Sequence, residues 1–193
     1  MNNVIIIIII ALVLFLIKCI YYYPKLYNKT KNLGYKLYTK LCDFKLIPNQ
    51  NLIEPNLWLG DFRSSLDKDF IVKNNIKLIV NLSKNLKFVD LDNVEKYRVP
   101  IHDNRSHESD VGMISHFPEV YKKMDSYLKA NKGVLVHCRA GMQRSATVVA
   151  LYLMKKRNLD FENAKKFIRS KRCIAFYPVV NFYGPIKYFE SKF

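Results

Sequence analysis

Apolar and polar positions divide the chain into two regimes. From Val4 to Ile17 the sequence is unbroken apolar, Lys18 interrupts it, Cys19 to Tyr23 continue it and Pro24 stops it. Twenty such residues make a helix of about 30 Å, the thickness of a bilayer core. The pattern therefore predicts an N-terminal membrane anchor over residues 1–23. Beyond Pro48 the apolar runs become short and alternate between two periods. Leu52-Ile53 and Leu57-Trp58-Leu59, separated by Glu54-Pro55-Asn56, predict a small hairpin. Residues 67–75 predict a helix with Phe70 and Ile71 inward, and Lys77 to Leu82 a buried strand. Tyr97 to Ile101 predicts another strand, followed by a polar loop from His102 to Asp110. Phe117, Val120, Tyr121, Met124, Tyr127 and Leu128 recur at helical spacing until Gly133. Val134-Leu135-Val136 predicts a short buried strand and Thr147 to Met154 an apolar helix. Asp160 predicts an N-cap for a stripe of Phe161, Ala164, Phe167 and Ile168. Phe182, Ile186 and Phe189 predict a last short helix. Strands alternating with helices imply an α/β layered domain with a central, mostly parallel sheet.

Charge adds direction to this picture. The chain has 193 residues, with 32 Lys and Arg against 16 Asp and Glu, a net of +16. Both regimes are basic, +6 over residues 1–47 and +10 over residues 48–193. A positive field favours anionic partners such as phosphorylated protein or anionic lipid. Lys25, Lys29, Lys31, Lys36, Lys40 and Lys45 all follow the apolar span. Residues 24–47 therefore predict a basic linker that rests on anionic headgroups, and the positive-inside tendency places residues 24–193 in the cytosol. Length allows one further domain, residues 48–193. The four cysteines, Cys19, Cys42, Cys138 and Cys173, have neither metal-site nor disulfide-framework spacing.

One stretch carries chemistry: Val134-Leu135-Val136-His137-Cys138-Arg139-Ala140-Gly141-Met142-Gln143-Arg144-Ser145. A strand delivers Cys138 to its carboxyl end, a loop of five residues follows, and a helix opens near Arg144. Backbone N–H groups of such a loop converge on one anion, and the helix N-terminus adds its positive end. Gly141 supplies the φ freedom a tight cradle requires, and Arg144 a planar fork for two phosphate oxygens. The same groups lower a thiol pKa, so one geometry binds the phosphate and activates the attacking sulfur.

His137-Cys138, five intervening residues, then Arg144-Ser145 between a buried strand and a helix resembles the signature of protein tyrosine and dual-specificity phosphatases. Leu57-Trp58-Leu59-Gly60-Asp61 and Ile79-Val80-Asn81-Leu82 resemble the opening strands of the dual-specificity form, whose compact length also fits residues 48–193. The resemblance implies a compact three-layer domain that hydrolyses phosphotyrosine, and phosphoserine or phosphothreonine, on a protein substrate. Cys138 would form a phosphocysteine intermediate, and Arg139, Ala140, Gly141, Met142, Gln143 and Arg144 would form the phosphate loop. Ser145 would hydrogen-bond the sulfur, and His137 would orient the loop from behind. The general acid implied is an Asp on a loop roughly thirty residues before the Cys. Asp103 fits, Asp110 is its rival, and Arg105 is a substrate-contact candidate. No metal or cofactor is implied and no nucleic-acid partner is expected. Two other readings compete: a phosphoinositide phosphatase, and a binding-only pseudophosphatase.

Overall fold

The computed structural model describes residues 10–12, 14 and 47–193. The chain divides into two compact units, residues 1–48 with 177–180, and residues 49–176 with 181–193. In the first, the described part comprises helical residues 10–12 and 14, residues 47–48, and residues 177–180 with a cis Tyr177–Pro178 bond. The expected anchor and linker, residues 1–23 and 24–47, otherwise lie outside the described residues. The expectation of a single-pass membrane protein is corrected: among the described residues no helix is long and apolar enough to cross a membrane.

The second unit is a five-stranded mixed sheet flanked by helices. Its elements in chain order are β1 (Gln50–Glu54), β2 (Leu57–Gly60), α1 (Lys68–Lys73), β3 (Ile76–Asn81), β4 (Glu95–Arg98), α2 (His107–Lys129), β5 (Gly133–His137), α3 (Arg144–Arg157), α4 (Phe161–Lys171) and α5 (Tyr183–Glu190). The sheet order is β1-β2-β5-β3-β4, antiparallel only at the β1–β2 hairpin. Asn56 turns that hairpin at φ 64°, a conformation Asn tolerates. β5 lies between β2 and β3, parallel to both, and all five of its residues are buried. A strand buried on both faces reads as an unbroken apolar run, which is why Val134-Leu135-Val136 shows no alternation. Leu135 and Ile79 join Phe70, Ile71 and Val94 in one apolar cluster, with Trp58 edge-on to Phe70 at 5.0 Å. Helices α2 and α3 both pack on β5.

Two boundaries depart from the sequence reading. The strand expected over 97–101 runs instead from Glu95 to Arg98. Pro100 has no N–H to give a ladder, and the Ile101 N–H turns back to the Val99 carbonyl at 2.9 Å. The polar stretch after it is not all loop. Ser106 caps α2 by accepting from the Ser109 N–H, and Glu108 and Asp110 occupy the first turn, where carboxylates meet the positive helix end. Asp67 and Asp160 cap α1 and α4 in the same manner.

Leu135 is fully buried in the strand that ends at the candidate site. Leu135→Ala should cost about 2–5 kcal/mol, read as a lower denaturation midpoint with an unchanged denaturant slope.

Candidate active site

Cys138 follows the last residue of β5 and is buried at 1% exposure. The segment from Arg139 to Gln143 then curls into a loop that feeds α3. Its curl is held from outside through its carbonyls. Arg139 O accepts from the Phe62 N–H at 3.4 Å, and Met142 O from the Phe176 N–H at 2.7 Å. Between them, Ala140 O and Gly141 O accept from Nη2 and Nε of Arg172 at 3.1 and 2.9 Å. Arg172 is almost wholly buried, and its Nη1 donates to Asn51 Oδ1 at 2.8 Å. In a trans peptide the N–H points opposite the C=O, so a loop with four carbonyls turned outward offers its N–H groups to the concave side. Gly141 sits at φ 65° with its Cα against the backbone of β2. A Cβ there would lie 2.5 Å from the Gly60 carbonyl oxygen. Both the backbone conformation and the close approach demand glycine.

Arg144 opens α3, and its guanidinium is anchored on one edge. Nη1 donates to the carbonyls of Leu82 and Ile101, each at 3.2 Å, and to Ser83 Oγ at 3.1 Å. Nε is buried, without a hydrogen-bond partner, and 3.6 Å from Asp103 Oδ2. Ser145 Oγ donates to Cys138 Sγ at 3.2 Å. Burial alone would push the Cys138 thiol up. The charge of Arg144, the Ser145 hydroxyl and the Ser145 backbone N–H outweigh it, against an opposing push from Asp103, and the thiol falls below its ordinary range. His137 is buried behind the loop. Burial first, then the charges of Arg98 and Arg144, pull its pKa down to about 3, so the ring is neutral near pH 7.

The structure thus brings Cys138, Arg144, Ser145 and Asp103 together, with His137 and residues 139–143 around them. Of the two rival carboxylates, Asp103 is the one beside Arg144. Asp110 packs against Gly184 at the start of α5, where a Cβ would run into its carboxylate. Burial raises the Asp110 pKa, with His107 acting in the opposite direction. His102 is exposed and His107 begins α2.

Sequence reasoning passed over Ser83, Arg172 and Asn181. Arg172 ends the basic run Arg169-Ser170-Lys171-Arg172, which reads as a solvated helix end. Asn181 donates through Nδ2 to Asp103 Oδ1 at 2.9 Å from the segment before α5. No spacing rule links any of the three to Cys138. The one available signal was chemical: a loop with its carbonyls turned outward needs buried donors supplied from elsewhere.

The chain is similar to known proteins over this unit. The family model "Dual specificity phosphatase, catalytic domain" matches residues 57–192. Human dual specificity protein phosphatase 9 is 36% identical over 142 residues, which is 72% of this chain and 36% of that protein. Dual specificity protein phosphatase 1B of Arabidopsis thaliana is 32% identical over 140 residues, 72% of this chain and 81% of the relative. The chain therefore spans about a third of the human protein's length and most of the plant protein's. The crystal structure of human DUSP28 superposes with a TM-score of 0.68 at 26% identity, covering 75% of this chain and 95% of the other.

Two outcomes follow from the geometry. Ser145→Ala removes a donor to the sulfur and raises the thiol pKa. The rising limb of Cys138 alkylation against pH should therefore move to higher pH, with the high-pH plateau kept. Gly141→Ala should abolish protection of Cys138 by inorganic phosphate or vanadate in the same alkylation assay, because the loop cannot close against Gly60.

Proposed function

Because the chain belongs to the dual-specificity phosphatase family, a class of cysteine-dependent protein phosphatases, we propose that it hydrolyses phosphotyrosine, and phosphoserine or phosphothreonine, on protein substrates through a covalent phosphocysteine on Cys138. One observation carries this reading. A thiol held below its ordinary pKa heads a loop whose carbonyls turn outward, beside an Arg144 guanidinium whose Nε makes no hydrogen bond and lies 3.6 Å from Asp103 Oδ2.

In the first step the Cys138 thiolate attacks phosphorus in line with the substrate oxygen. The S–P bond forms as the P–O bond breaks, and protonated Asp103 gives its proton to the leaving oxygen. The loop N–H groups and Arg144 meet the charge on the equatorial oxygens. In the second step Asp103, now a carboxylate, takes a proton from water as the water oxygen attacks phosphorus. The S–P bond breaks, inorganic phosphate forms, and the Ser145 hydroxyl stabilises the departing thiolate. Cys138, Arg144, Asp103 and Ser145 touch the reacting atoms in this scheme. His137, neutral and buried, supports the loop from behind.

The protein reading is preferred to a phosphoinositide one because Arg139 is the loop's sole cation before Arg144. The presence of both Cys138 and Arg144 favours an enzyme over an inert binder.

The test is phosphate release by the full chain from phosphotyrosine peptide, phosphothreonine peptide and phosphoinositides. Cys138→Ser should abolish turnover and retain binding of the phosphopeptide. Asp103→Asn should lower kcat on phosphopeptides by roughly 10²–10⁴, with a smaller loss on aryl phosphates whose leaving group needs little protonation. Turnover retained in Cys138→Ser refutes the mechanism, and a preference for phosphoinositides over both peptides refutes the substrate class.

A further inference from the structure

Asn181 lies outside the signature and links the proposed acid to its neighbours. Its Nδ2 donates to Asp103 Oδ1 at 2.9 Å, and its Oδ1 accepts from Arg105 Nε at 2.9 Å. Its backbone N–H donates to Gln143 Oε1 at 3.1 Å. Guanidinium has donors and no acceptor, so the amide oxygen must face Arg105. That fixes the amide's orientation and turns its NH₂ toward Asp103. Asn181 and Gln143 are both buried, at 8% and 6% exposure, so water is a poor substitute for these bonds. Gln143 closes the phosphate loop and stands at the N-cap of α3. Asn181 therefore ties the segment bearing Asp103 and Arg105, through its side-chain amide, to the last residue of the loop, through its backbone N–H.

The arrangement also distinguishes the two carboxyl oxygens. The N–H on Oδ1 fixes the rotation of the carboxyl group and so which oxygen turns toward Arg144. Oδ2 lies toward Arg144, 3.6 Å from Nε, on the side where the phosphate oxygens would sit. We infer that Asn181 is a positioning residue that clamps Asp103 through Oδ1 and so reserves Oδ2 for proton transfer. In the first step the Oδ2 proton passes to the leaving oxygen as the P–O bond breaks. In the second, a water proton returns to Oδ2 as the S–P bond breaks. This inference rests on the role proposed for Asp103.

The test uses the full chain with phosphate monoesters of graded leaving-group basicity, read beside the alkylation rate of Cys138. In Asn181→Ala, kcat on alkyl esters and phosphopeptides should fall by roughly 10–100-fold, with little loss on good aryl leaving groups. KM should stay within about twofold and the alkylation rate should not change. Asn181→Asp should be worse, because a second carboxylate then faces Asp103. Arg105→Ala, an exposed site that leaves the core intact, should give a smaller loss with the same leaving-group dependence. A loss equal for all leaving groups, or slowed alkylation, would mean that the Asn181 side chain supports the loop as a whole rather than the acid, and overturns the clamp. Unchanged kinetics in both variants overturns it as well. If Asp103→Asn itself is indifferent to leaving group, the acid assignment falls and the clamp falls with it. If Asp103→Asn is sensitive and the Asn181 and Arg105 variants are not, the clamp alone fails.

Discussion

The site depends on where four carbonyls go. A loop that surrounds an anion with N–H groups must send its C=O groups the other way, into protein rather than water. An unpaired buried carbonyl costs on the order of 1–3 kcal/mol, so four of them left open would strain a domain of ordinary stability. Phe62, Arg172 and Phe176 close all four, Arg172 taking two of them. A buried guanidinium is itself costly to leave unpaired, and here it is matched to two loop carbonyls and Asn51. The loop's curvature and the arginine's burial are thus each the reason the other is tolerated. Gly141 completes the arrangement, since only a residue without Cβ can hold that φ against the β2 backbone.

Electrostatics at the sulfur reflects a balance rather than one dominant charge. Burial opposes ionisation of Cys138, and Arg144 and Ser145 overcome it from opposite chemical directions, one by charge and one by hydrogen bonding. Arg144 can do this with little side-chain freedom to lose, because three acceptors from Leu82, Ser83 and Ile101 already hold Nη1. Those acceptors lie just beyond β3 and β4. The central sheet therefore positions both Cys138, through β5, and the cation that lowers its pKa.

Much of this was legible in the sequence because it is local. Strand, loop and helix around Cys138 are adjacent in the chain, and so were read in order from Val134 to Thr147. Asp103 was legible only as one of two carboxylates. The deciding fact is that Ser106 starts a helix, which carries Asp110 away toward Gly184 while Asp103 stays on the loop. That Ser106 cap was hidden because the first apolar helical positions come a full turn or more later. Arg172 and Asn181 were illegible for a different reason. Their partners stand 31 to 121 residues away, and nothing in a basic helix end or a lone asparagine distinguishes a buried donor from a solvated one. The apolar run at the N-terminus shows the converse, a strong local signal whose expected span lies mostly outside the described residues.

The closure of the loop by Arg172 and Phe176 bears on when the site comes into being during synthesis. A ribosome that has released the chain as far as Arg157 has already made the whole signature, the strand before it and the helix after it. Such a nascent chain carries Cys138, Arg144 and Ser145 without the Arg172 and Phe176 donors that hold the loop's carbonyls. The loop's carbonyls are closed only when Arg172 and Phe176 dock on residues made some thirty positions earlier. Under the proposed function an oxyanion would bind only the finished domain, and by mass action would hold that domain folded.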